Sequence, residues 1–111
     1  PHQHSNVYGK EENQMQEQFL KVLEGRFNLQ INSLNLNAVQ SSVVKTHFRF
    51  MMDALCVKQS VEENEIPEFV KLVIKLYSIN RGFVEDQIKD RDLLIKATHI
   101  TDVVYQLVLT N

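Results

Sequence analysis

At 111 residues the chain is one domain, long enough to bury a sizeable core without disulfide or metal staples. With 43% apolar and 23% charged residues it is too apolar to remain wholly disordered, and three Gly and two Pro are too few for a turn-rich β-sandwich. A net charge of −2 leaves no overall basic field to draw it to nucleic acid or anionic lipid.

The chain opens on Pro1 rather than Met, as a fragment or a processed product would. Residues Pro1 to Glu12, PHQHSNVYGKEE, are polar and without periodicity. They predict a flexible tail over 1–11, ahead of a helical domain over 12–111. His2 and His4 form a short His-x-His pair, but two imidazoles without further ligands make a weak metal site, and a solvated tail is the expectation. No cofactor is implied.

From about Glu11 to Phe27 the pattern is helical, with Met15, Phe19, Leu20, Val22, Leu23 and Phe27 on one face. Asn28 to Asn37, NLQINSLNLN, breaks that rhythm. Its four asparagines favour turns, so an extended connector is expected to drop Leu29, Ile31, Leu34 and Leu36 onto the core.

Asn37 is a good N-cap, and a helix is predicted from Ala38 to about Val57. One stripe on it is Val39, Val43, His47, Phe50, Ala54 and Val57. A second is Val44, Phe48, Met51 and Leu55, with Met52 at its outer edge. Together they span about 220° of an ideal wheel, more than one neighbour covers. Phe48, Met51 and Met52 are the part of this surplus hardest to hide within the chain. Large, adaptable side chains of this kind are favoured at binding surfaces.

Lys58 to Glu65 is a polar connector in which Ser60 and Glu63 fit a capping box. Pro67 then falls in a first turn, where its missing N–H costs nothing. In Ile66 to Ile79, IPEFVKLVIKLYSI, only Glu68, Lys71, Lys75 and Ser78 are polar, and they share one stripe. The apolar arc is again about 220°, so this segment, about 65–79, is expected as the buried centre of the fold, with Leu72 and Val73 both inside. Gly82 is its expected terminator.

Beyond Phe83 one long helix or two in series are predicted, with Asp90 or Asp92 capping the second. Leu93, Ala97, Ile100, Val104 and Leu107 repeat at helical spacing, although the β-branched run from Ile100 to Val108 keeps a strand open as an alternative. No repeat of 20 to 50 residues is visible. The fold class is therefore all-α, a single-domain bundle of four to five helices.

Catalytic signatures are missing: there is no GxSxG, HExxH, paired CxxC, P-loop or GxGxxG. Cys56 and His47 are expected as structural residues, His47 hydrogen-bonded in the core and His99 exposed. An enzyme is not expected. The lone cysteine points to an intracellular compartment, nuclear or cytoplasmic, and no apolar run near 18 residues suggests a membrane span.

The surplus of apolar arc leads to a protein-interaction or oligomerisation module, a scaffold-type domain cut from a larger protein. It would bind a partner helix or its own copy, as in a homodimer, through Phe48, Met51, Met52, Tyr105 and Leu109. The alternative is a helical nucleic-acid-associated domain using Lys45, Arg49, Lys71 and Lys75. Interleaved Asp53 and Glu68 make a solvated face the plainer reading of those charges.

Overall fold

Four α-helices joined by short connections make up the chain: α1 His2–Asn32, α2 Ala38–Lys58, α3 Ile66–Gln87 and α4 Arg91–Thr110, with a single 3-10 turn at Glu63–Glu65 before α3. This computed structural model describes the backbone of residues 2–110 and the side chains of residues 16–110. Among the described residues there is no strand, so the bundle is all-α as expected and residues 100–109 are helix.

Helix α1 begins at His2, where the sequence predicts an irregular lead-in. The side chains there, including the His2 and His4 pair, lie outside the described residues. At its other end α1 runs through the asparagine-rich stretch to Asn32 instead of becoming an extended connector at Asn28. Leu23, Phe27 and Ile31, one turn apart, are all buried. Each such burial contributes roughly 1.5–3 kcal/mol, more than the fraction of a kcal/mol by which Asn disfavours a helix. The chain then turns at Asn35, whose φ of 52° is the left-handed conformation that asparagine tolerates. Leu34 and Leu36 pack on the core as expected, but Leu29 is exposed.

Asn37 starts α2 as predicted. Its side chain accepts the Gln40 N–H at 2.8 Å, and the Gln40 side chain accepts the Asn37 N–H at 3.1 Å, a reciprocal capping box. The box expected from Ser60 and Glu63 does not form; the chain enters α3 through the 3-10 turn, with Pro67 in the first turn of α3. Gly82 does not end α3, which continues to Gln87. Val84 and Ile88 beyond it are fully buried, and keeping them in the core outweighs the roughly 1 kcal/mol helical cost of one glycine. Asp90 then caps α4, accepting the Leu93 N–H at 3.0 Å.

α2 and α4 form the central pair and run parallel. Their C-terminal ends meet where the Lys58 ammonium donates to the Val108 carbonyl in the last turn of α4, a group the helix itself leaves unpaired. α1 and α3 flank this pair. α1 contacts α4 and lays Phe27 flat on Phe48 of α2, with ring centroids 3.9 Å apart and planes at 5°. α3 runs antiparallel to α2: at one end the Gln40 side chain donates to the Gln87 carbonyl, and at the other Val57 and Val61 share a groove with Phe69 and Leu72.

The helix at the centre is therefore α2, not the 65–79 segment. α2 buries Val44, His47, Phe48, Met51, Met52 and Ala54, whereas α3 buries only Val73, Asn80 and Val84. The width of an apolar arc does not determine which helix receives neighbours on all sides, and α3 has them on one side only.

Candidate functional site

A clasp of polar side chains fixes the rotation of α3 about its axis. The Tyr77 hydroxyl donates to Oδ1 of Asp102 on α4 at 2.7 Å. Arg81, one turn on, donates to the Tyr77 hydroxyl at 3.2 Å and lies 3.4 Å from Oδ2 of Asp102. Its Nε pairs with Glu85 at 3.1 Å. The Tyr77 ring stacks on Tyr105 of α4 at 3.9 Å and tilts against His47 of α2, with centroids 5.1 Å apart. Burial, then the Asp102 hydrogen bond and charge, push the Tyr77 hydroxyl up to about 12, so it stays a donor at any ordinary pH.

His47 sits inside this junction with no exposed surface, and neither ring nitrogen meets a hydrogen-bond partner among the described residues. The sequence predicts a hydrogen-bonded core histidine; the burial is as expected, but the packing is against an aromatic ring. Burial holds its pKa down at about 4, against the opposing pull of Asp102 and with help from Arg81. The ring is neutral at neutral pH, sealed from solvent and unsuited to proton transfer with a substrate.

The same clasp determines what α3 shows to solvent. With Tyr77 and Arg81 turned to α4 and Val73 and Val84 turned inward, Leu72, Ile79 and Phe83 face out, each more than half exposed, with Leu76 half-buried between them. Their spacing of four, three and four is that of a coiled-coil seam. α2 extends the face: Val39, Phe50 and Val57 are exposed and fall within about 20° of one another on the helix, and Val57 lines a groove with Phe69 and Leu72 of α3. Because the two helices are antiparallel and joined at Gln40–Gln87 and around Val57–Phe69, Phe50 lies at the level of Leu76, and Val43 at the level of Phe83. The result is one apolar strip along the α2–α3 seam, opening at one end into the groove that also holds Glu65 and Glu68.

Phe48, Met51 and Met52, expected as the exposed binding stripe, are instead core, from 0% to 6% exposed. The stacking of Phe48 on Phe27 brings α1 over that side of α2; of the other stripe His47 and Ala54 are buried as well, and only its outer edge, Val39, Phe50 and Val57, is left outside. Tyr105 is half-buried in its stack on Tyr77, and Leu109 is half-buried at the end of α4.

Lys45, Arg49, Lys71 and Lys75 are all exposed, but they line different grooves. Lys45 and Arg49 border a groove between α1 and α2 together with Glu24. Lys71 and Lys75 border another on α3 with Glu68, which pairs with Lys71 at 3.3 Å. No group of three or more His, Cys, Asp or Glu side chains among the described residues could hold a metal ion. The Cys56 thiol is exposed, but partial burial and the charges of Asp53 and Glu24 push its pKa up, away from a reactive thiolate. No described helix is long and apolar enough to cross a membrane.

Leu72 and Ile79 escape a reading of the sequence because the wide apolar arc of 65–79 is expected to be covered on most sides, and Phe83 because Gly82 marks a false helix end that cuts it off from the other two. Their spacing across that glycine is the signal that could have found them. Compared with protein-family models, with curated proteins and with solved structures, the chain matches none of them.

Proposed function

We propose that this chain is an intracellular protein-interaction module that captures an amphipathic helix along the α2–α3 seam, the helix coming from a partner protein or from a second copy. The observation that carries the reading is the exposed strip of Leu72, Ile79 and Phe83 beside Val39, Phe50 and Val57. Scattered exposed apolar residues are ordinary on a monomer; six on two adjacent helix faces, three of them at seam spacing, mark a docking surface. A helix laid in the seam would place its own apolar residues between them, as helices in apolar grooves do. The clasp of Tyr77, Arg81 and Asp102 supports this role by holding the α3 face in position before a partner arrives, which lowers the ordering cost of binding.

The test is a display library of helices with apolar residues fixed at seam spacing and all other positions randomised, sorted on the wild-type chain. Selected helices are expected to bind wild type and to lose binding to Leu72→Asp and Phe83→Asp, while both variants keep the helical circular dichroism of the parent. Helices that bind the variants as well as the parent, or no enrichment together with a monomeric mass at every concentration, would contradict the reading.

A further inference from the structure

We infer that the helix docking on the α2–α3 seam is basic: an amphipathic segment with Lys or Arg flanking its apolar face. The inference rests on the docking reading above and adds the chemistry of the occupant.

The strip has an acidic border. Glu65 and Glu68 line the open end of the groove together with Val57, Phe69 and Leu72, and both are exposed. At 100° per residue, Glu68 and Asp86 fall about 40° from the direction of Leu72 on α3, and Lys75 about 60° away on the same side. On α2, exposed Asp53 falls within about 60° of Phe50 and Val57. Four carboxylates therefore border the strip against two lysines, Lys71 and Lys75, which share a groove with Leu72; Lys71 and Glu68 offset each other as an ion pair, which leaves Glu65, Asp53 and Asp86 against Lys75. Glu62 and Glu63 add exposed negative charge just before the same groove end.

An acidic partner helix would set like charges along both edges of the seam, an arrangement that repels wrong partners. A basic one would pair with the border while its apolar residues fill the strip. Because such pairs lie on the rim and stay solvated, their effect falls on selectivity and association rate more than on affinity.

The same display library tests this separately from the docking reading. Among helices that bind wild type and not Leu72→Asp, Lys and Arg are expected to exceed Asp and Glu at the positions flanking the apolar face. A selected basic helix should bind Glu65→Gln/Glu68→Gln about threefold to tenfold more weakly than wild type, and added salt should narrow that gap. Flanks enriched in Asp and Glu, or showing no preference, would overturn the basic partner and leave the docking reading standing. Basic helices whose binding survives Leu72→Asp would show charge acting without the strip and overturn both. Failure to select any helix at all would overturn the basic partner, and together with a monomeric mass at every concentration would overturn both.

Discussion

α2 and α3 carry apolar arcs of equal width, yet six residues of α2 are buried and only three of α3. The difference lies in what surrounds each helix. α2 meets α1, α3 and α4, with Phe48 stacked under Phe27 and His47 facing Tyr77. α3 meets α2 and α4 on one side, is pinned there by the Tyr77–Asp102–Arg81 clasp, and leaves Leu72, Ile79 and Phe83 outside. Arc width measures how much surface a helix offers for covering; the neighbours decide how much is covered within the chain.

Substitutions at adjacent positions break or sharpen this contrast. The largest effect is expected in the core. Val73→Asp places an unpaired charge at a position only 1% exposed, which costs several kcal/mol against a total stability of about 5–15. Met52→Glu should unfold the chain for the same reason, and Phe48→Ala should cost about 3–5 kcal/mol through the lost ring and the cavity beneath Phe27. Thermal melts check all three; a folded Met52→Glu would return that stripe to the surface.

The next effect is read by pH. The folded pKa of His47 is about 4, below its ordinary 6.5, so the unfolded chain takes up a proton in that window and the folded chain does not. Its contribution is fully present above about pH 6.5 and is lost progressively as pH falls towards 4, amounting to about 3 kcal/mol. The groups facing His47 from the neighbouring helices are Tyr77 and Arg81 on α3 and Asp102 on α4. Denaturant unfolding at a series of pH values should therefore show a shallower slope for His47→Gln than for wild type between pH 4 and 6.5. Parallel curves would mean that His47 titrates normally.

A smaller effect is expected in the clasp. Tyr77→Phe removes the hydrogen bond to Asp102 and should cost about 1 kcal/mol, since Arg81 still reaches the carboxylate. The same variant should loosen the rotation of α3, seen as faster amide exchange along this helix than along α2.

Much of the fold is legible in the sequence because local rules decide it. The Asn37 cap, the Asp90 cap, Pro67 in a first turn and the helical spacing of Ala97, Val104 and Val108 all follow from short-range chemistry. Departures occur where packing overrides a local preference: at Gly82, carried through the helix by Val84 and Ile88, and at Asn28 and Asn32, carried by Phe27 and Ile31. The candidate site was legible only as a surplus. That α2 has two apolar stripes can be read from spacing; which of them α1 covers depends on the Phe27–Phe48 stack, a contact between distant parts of the chain. The clasp is equally non-local, since nothing near Tyr77 in the sequence points to Asp102.

The smallest expected effect on stability belongs to a residue of the proposed docking face. Leu72 is 54% exposed, and Leu72→Asp should shift stability by less than about 0.5 kcal/mol, the usual range for a surface change. Circular dichroism and light scattering on one sample of this variant, alone and with a helix selected on wild type, test the central claim most directly. A parental helical signal and melting temperature are expected, with loss of the complex and of any self-association seen for wild type across a dilution series. An unfolded Leu72→Asp chain would place α3 back at the centre of the core, and a folded one that assembles as the parent does would contradict the seam as the docking face.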